Sequence, residues 1–389
     1  MPNPRSPIPT PTRLLAILPS WVGDTVMATP ALRRIRDAMP GIFIGALCRP
    51  GIDQLLAGSP LIDELHTFQP HGMMAPKHAA AKVRPRQYDA ALLFTNSFST
   101  ALIARLAFIP RRIGYDRDTR GMLLTNRLEP PRNPDSTWKL TPAVDYYWNL
   151  AAHLLGQPGV DWSIHTPTDC TSVPLALPPG VTMELPETDA DRHAADALLA
   201  RAQIPTSARL AILNPGGNNP AKRWPPDRFA HLARHLIDRH GMTVLVNGSP
   251  GEAELCGTIL NQIAPSASED TARSSGLAAC SLPDMGITLG ALKSLCRRAS
   301  LMVTNDTGPR HIAAAFGTPL VTLFGPTDPR WTTIPVRTNA DKSTRETVLV
   351  ADPTLPPSES ANDHPERCRV DRIGLDAVIE AAEVQLARA

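Results

Sequence analysis

Two scarcities bound what this chain can be. Aromatic residues make up only 5% of its 389 positions, and no stretch approaches the ~20 apolar residues that a membrane-spanning helix needs. So few rings argue against a stacking platform for single-stranded nucleic acid. The net charge of +2 is too nearly balanced to draw a polyanion, and no nucleic-acid partner is expected. The six cysteines (48, 170, 256, 280, 296 and 368) stand far apart, with no C-x-x-C pair. They read as the reduced thiols of a cytoplasmic protein, neither a disulfide framework nor a zinc site. The apolar run "LLAIL" is too short for a signal-peptide core and leads straight into a strand. A Walker loop is missing, and the first strand is not followed by G-x-G-x-x-G, which argues against an NAD-dependent oxidoreductase. There is no short internal repeat.

Proline, by contrast, is abundant. The 41 prolines are about twice the usual share of roughly 5%. They gather in the tail "MPNPRSPIPTPT", in the middle of the chain and in "DPTLPPSESANDHP", as punctuation between elements. A length of 389 residues exceeds one ordinary core and predicts two domains. Residues 1–12 read as a Pro-rich tail, 13–180 as one domain and 181–389 as a second, with the aperiodic stretch 157–188 between them. A return of the last helix, near 375–386, onto the first domain is allowed for.

Within both halves, short apolar runs alternate with helical patterns. Strands are expected at 14–18, 43–47, 90–94 and 112–115, then at "RLAILN", "MTVLVNG", "LMVTN" and "PLVTLFG". Helices are expected after Asp24, near 53–57, 99–107 and 142–155, and in "PPDRFAHLARHLIDRHG", "LGALKSLCRRA" and "DTGPRHIAAAFG". Pro30 should distort the helix after Asp24 or restart it. The fold class is therefore α/β, with two doubly wound parallel sheets facing across a cleft. Ligands of such sheets lie outside the carboxyl ends of the strands, so the loops that follow strands are the ones to inspect.

Four of those loops carry unusual chemistry. "LPSWVGDTVMATPAL" places a carboxylate, Asp24, where a strand-to-helix junction ordinarily suits an anion. It reads either as an N-cap or as a base facing the cleft. "NPGGNNPAKRWPPDRF" holds two glycines and then Lys222, which suits a diphosphate as a point charge, or else lies in a solvated surface loop. In "VNGSPGEAELC", Glu252 sits where an acid accepts bonds from both hydroxyls of a ribose, or else simply favours a helix start. "VTNDTGPRHIAAAFG" offers Asp306, the N–H groups of Thr307 and Gly308, and His311 one turn into a helix. Here an N-capping Asp306 and a buried, satisfied His311 are the plain alternatives.

"LPSWVGDTVMATPAL", "NPGGNNPAKRW", "NDTGPRHIAAAFGTPLVTLFGPTDP" and "TNSFSTALIARLAFIPRRIGY" together resemble the lipopolysaccharide heptosyltransferases, members of glycosyltransferase family 9. The resemblance runs from about residue 13 to 332 with the motifs in the same order, and "PSWVGD" and "IPRRIGY" look most like the branch that adds the second inner-core heptose. It implies a GT-B fold with ADP-L-glycero-β-D-manno-heptose on the C-terminal domain. The N-terminal domain would then take a lipid-linked Kdo/heptose acceptor at the inner membrane, with the protein cytoplasmic or peripheral on that membrane's cytoplasmic face. By similarity Asp24 takes the catalytic-base position, Lys222 the diphosphate position, and Asp306, Thr307, Gly308 and His311 the donor-sugar and phosphate positions. Glu252 maps to the ribose contact. No cofactor and no metal is implied. The Pro-rich tail and the long insert around 266–286 depart from the family pattern, and the insert is expected beside the adenine pocket.

A carboxylate at position 24 would take the proton of an attacking acceptor hydroxyl, with inversion at the anomeric carbon as the nucleotide departs. Preorganised donors, Lys222 and the helix start at Thr307 and Gly308, would then stabilise the leaving ADP. The run "IPRRIGYDRDTRGMLLTNRLEPPR" is rich in guanidinium groups that suit carboxylate sugars. Arg111, Arg112 and Arg120 are its expected acceptor contacts. "DRD" at 116–118 and "DAD" at 189–191 have diphosphate–metal spacing but are set aside, the first for its Arg-rich setting and the second for its predicted helix start. Other readings left open are a family member with a different glycan acceptor, a sugar-nucleotide epimerase and a silent sugar-nucleotide binding module.

Overall fold

A computed structural model of the chain describes residues 10–69, 71–167, 169–263, 278–338 and 344–388. Most of the Pro-rich tail and the greater part of the 266–286 insert lie outside the described residues. The chain divides into two compact units, Met1–Ser163 and Ile164–Ala389.

In the first unit six strands, β1 (Arg13–Ile17), β2 (Phe43–Cys48), β3 (Glu64–Thr67), β4 (Ala90–Leu93), β5 (Arg111–Tyr115) and β6 (Asn126–Leu128), form a sheet in the order β3-β2-β1-β4-β5-β6. Every pairing in it is parallel. Helices cover both faces of such a sheet, which is why "RLLAI" and "AALL" are almost wholly buried and read as unbroken apolar runs. The helical stretch after β1 does restart at proline. One helix runs Val22–Met27 and a second Thr29–Ala38, with Pro30 in its first turn, where a missing N–H costs nothing. Ala31, Leu32 and Ile35 form its buried face.

The second unit repeats the plan. Strands β7 (Leu210–Asn214), β8 (Thr243–Val246), β9 (Ala279–Ser281), β10 (Leu301–Asn305), β11 (Leu320–Phe324) and β12 (Glu346–Val350) are ordered β12-β11-β10-β7-β8-β9. These pairings are parallel too. Numbered from its own first strand, this is the order of the first unit, the Rossmann arrangement. Strand order reverses between β1 and β4 and again between β7 and β10. Loops leaving the two strands at such a switch point diverge and open a crevice at the carboxyl edge of the sheet.

Trp224, Phe229, Leu232, Leu236, Val303 and Leu323 centre the core of the second unit. The last helix, Leu375–Ala387, buries Val378, Ala382 and Leu386 in that same core and packs on the helix Pro226–His240. Its apolar face belongs to the core of the second unit.

Candidate functional site

The loops after β7, β8 and β10 converge at the switch point of the second sheet. Their positions are set by a buried polar ladder across the strand ends. Asn247 Nδ2 donates to Asn214 Oδ1 (2.7 Å), and Asn214 Nδ2 donates in turn to the hydroxyls of Thr304 (3.0 Å) and Thr307 (2.8 Å). One residue further on, Asn305 Nδ2 donates to the carbonyls of Pro215 (2.7 Å) and Gly216 (3.2 Å). These side chains are nearly all buried, and in a low-dielectric setting such paired amides fix one arrangement of the loops. The sequence reading missed these asparagines. Single asparagines after strands look like turn residues, and only the register of β8, β7 and β10 brings them into line.

Lys222 ends a short 3-10 turn, Pro220–Lys222, and its ammonium lies 3.1 Å from Asp306 Oδ2. Asp306 is therefore not the N-cap. That position belongs to Thr307, whose hydroxyl is engaged by Asn214 and makes no capping bond to the helix Gly308–Phe316. The first turn of that helix is left without a side-chain cap beside a lysine, an arrangement that favours an anion. His311 sits on the buried side of the helix. Burial, then the charge of Arg310, push its imidazole well below the ordinary histidine range, so it is neutral at pH 7. Its Nδ1 is buried and has no hydrogen-bond partner among the described residues. Arg310, also buried, pairs with Glu346 (2.7 and 3.2 Å) and so ties the helix to β12.

Glu252 closes a capping box with Ser249, accepting from its N–H and its hydroxyl (both 2.8 Å), while its other oxygen accepts from the N–H of Gly217 (2.8 Å). Burial alone would raise its pKa. The bonds from Ser249 and Gly217, with the charge of Arg223, outweigh burial and hold the carboxyl below the usual glutamate range. A depressed folded-state pKa stabilises at neutral pH, and that contribution is lost as pH falls through the acidic range. Glu252 thus joins the loop after β8 to the one after β7, both at the ligand edge. Gly216 is glycine for the same reason: a Cβ there would lie 2.4 Å from Glu252 Oε1. Gly216→Ala should displace the carboxylate and cost about 1–2 kcal/mol. That is a melting-point drop of about 2–8 °C; unchanged melting would mean that Glu252 moves aside freely.

In the first unit Asp24 stands in the first turn of Val22–Met27, at the carboxyl end of β1. The N-cap there is Trp21, which is exposed and makes no side-chain cap, so Asp24 is not an N-cap either. It is partly buried beside Tyr147, whose phenol is pushed far up first by complete burial and then by the charge of Asp24. The expected acceptor arginines fare differently. Arg111 and Arg112 begin β5, at the amino edge of the sheet and away from the loop of Asp24. Arg112 also gives its donors to the carbonyls of Leu123 (2.6 Å) and Ile109 (2.6 Å). Arg120 lies at the correct edge but is fully buried, donating to the carbonyls of Tyr115 (2.9 Å) and Thr95 and to Asn96. Arg112 and Arg120 thus spend donors on carbonyls and an amide of their own unit. At the carboxyl edge, Arg117 and Arg132 instead stack on Trp138, their guanidinium carbons 4.1 and 3.9 Å from its ring centre. Asp191, from the "DAD" stretch, closes a capping box with Thr188 and pairs with buried Lys293 (2.8 Å).

Two doubly wound parallel-sheet units, the second with a lysine, a carboxylate and an uncapped helix start at its switch point, have the make-up of a GT-B glycosyltransferase. The model of glycosyltransferase family 9 (heptosyltransferase) matches residues 78–348. The chain is 30% identical over 330 residues to lipopolysaccharide heptosyltransferase 2 of Salmonella typhimurium strain LT2, covering 82% of this chain and 84% of that one. It is 31% identical over 332 residues to lipooligosaccharide heptosyltransferase 2 of Haemophilus ducreyi, covering 82% and 85%. Among solved structures, E. coli ADP-heptose lps heptosyltransferase II superposes with a TM-score of 0.72 at 24% identity, over 96% of this chain and 98% of that one. This chain belongs to glycosyltransferase family 9.

Proposed function

We propose that the chain is an inverting heptosyltransferase. It moves L-glycero-D-manno-heptose from ADP-heptose to the heptosylated Kdo–lipid A inner core of lipopolysaccharide. Its likeness to the heptosyltransferase 2 enzymes of two genera, over four-fifths of its length, supports this reading over the other acceptors and over an epimerase. The observation that carries the donor half is the Lys222–Asp306 pair set against the uncapped start of the helix Gly308–Phe316. Lys222 and the N–H groups of Thr307 and Gly308 take the diphosphate, whose charge grows as the bond to the sugar breaks. Asp306 and His311 take the sugar. A buried imidazole nitrogen without a partner is costly, and a sugar hydroxyl would satisfy it. Glu252 takes the ribose with the lone pairs its capping bonds leave over.

Asp24 is the base. It removes the proton from the acceptor hydroxyl as that oxygen bonds to the anomeric carbon, and ADP leaves from the opposite face with the bonding electrons. Acidic groups of the acceptor meet Arg117 and Arg132 with Trp138 at the carboxyl edge of the first sheet. The protein works on the cytoplasmic face of the inner membrane. Its six cysteines are free and buried, in keeping with a reducing compartment, and no helix of the described residues is long and apolar enough to cross a membrane. The test is to supply ADP-heptose with a one-heptose core acceptor and with a Kdo-only acceptor. Addition of a second heptose to the first substrate alone is expected. Transfer to Kdo, or ADP-heptose turnover without any acceptor, would overturn the acceptor assignment.

A further inference from the structure

One side-chain cluster in the second unit has no part in this chemistry. His235 and His240, on the helix Pro226–His240, each bring Nε2 to 2.7 Å from the same atom, Oε1 of Glu383, on the last helix. The three side chains are half-buried, and their ligand atoms lie within 4.8 Å of one another. The bonds from His240 and His235 hold the Glu383 carboxyl below the usual glutamate range. The helix Pro226–His240 connects parallel strands β7 and β8 and so runs back from the ligand edge, which puts the cluster near the opposite edge of the sheet. It is remote from Lys222 and Asp306, and the transfer reaction gives it no task.

We propose that His235, His240 and Glu383 form a divalent-cation site of zinc type that staples the last helix to the second unit. Two imidazole nitrogens and one carboxylate oxygen are a donor set suited to a borderline ion such as Zn²⁺, with water in the fourth position on the exposed side. Ligand bonds of roughly 2.0–2.2 Å at tetrahedral angles need ligand atoms about 3.3–3.6 Å apart. The present 2.7 Å contacts therefore have to open by about 0.6–0.9 Å around the ion, which a partly exposed glutamate achieves by a side-chain rotation. The helix C-terminus at His240 adds a favourable negative dipole end. An ion held only by the folded form stabilises it by mass action, and here it would secure the helix that supplies Val378, Ala382 and Leu386 to the core. No motif announced the site, since the histidines are five residues apart and the glutamate follows at a separation of 143.

The experiment uses the tag-free full-length chain, stripped with chelator and titrated with Zn²⁺. One ion per chain and a rise in melting temperature are expected. His235→Gln, His240→Gln and Glu383→Gln should each weaken binding tenfold or more and abolish the rise. Co²⁺ loaded in place of Zn²⁺ should give the visible absorption of a tetrahedral nitrogen–oxygen site, lost in the same variants. No saturable uptake, or uptake that all three variants leave unchanged, would reduce the cluster to hydrogen bonds and overturn the proposal.

Discussion

Asp24→Asn should abolish nearly all heptose transfer and leave ADP affinity as it was. Positioned general bases contribute about 10²–10⁴ in rate, and an amide of the same shape cannot accept the proton. Binding should survive because the expected ADP contacts, Lys222, Glu252 and the start of the helix Gly308–Phe316, all belong to the second unit. The structure also removes the main confounder. Had Asp24 capped its helix, the substitution would act partly through folding, but Trp21 holds the cap position and no side-chain cap is made. As a first-turn carboxylate Asp24 is favoured by the helix dipole, by about 0.3–1 kcal/mol. The variant should therefore melt within a few degrees of the parent. Single-turnover transfer, set beside calorimetry with ADP, reads both halves of the prediction. Retained transfer would remove Asp24 from the base position.

The central strands were legible and the edge strands were not. β1, β4, β7, β10 and β11 are buried almost throughout and so carry mostly apolar runs, interrupted only by Thr322 within β11 and by polar ends such as Asn214 and Asn305. β3, β6, β9 and β12 are the four sheet edges, and none of them was expected. "ELHT" has no apolar run to mark it, whereas "ETVLV" carries a short one, Val348 to Val350, but is only partly buried and follows directly on polar residues. At the site, the sequence could place Lys222, Glu252 and Asp306–His311 on loops after strands, because glycine, proline and charge punctuate those loops. It could not show which neighbour each side chain meets. Lys222 and Asp306 are separated by 84 positions and meet only through the β7–β10 pairing. Arg120 is the opposite lesson. An arginine in a basic run reads as a solvated or ligand-binding charge, yet this one is fully buried and bridges the ends of β4 and β5, with carbonyl and amide oxygens for partners.

Lys222→Ala should weaken ADP binding by about 10- to 150-fold, the equivalent of one charge-assisted bond of about 1.5–3 kcal/mol. It should lower turnover further, because charge on the departing diphosphate exceeds that in the bound donor. The ion pair makes the prediction sharper than a simple deletion. Without the ammonium 3.1 Å away, Asp306 presents an uncompensated, mostly buried carboxylate to an incoming anion. Part of the loss in Lys222→Ala is therefore repulsion from Asp306, and removing that charge as well should return part of the ADP affinity. The double variant Lys222→Ala with Asp306→Asn should bind ADP more tightly than Lys222→Ala alone, although Asp306→Asn by itself gives no comparable gain. Turnover should not recover with it, since the proposed site also gives Asp306 to the sugar. Calorimetry on the four proteins of this cycle yields the coupling directly. Full additivity would mean that the pair is not kept when ADP binds. Unchanged ADP affinity in Lys222→Ala would return the lysine to an ordinary surface role and take the diphosphate site with it.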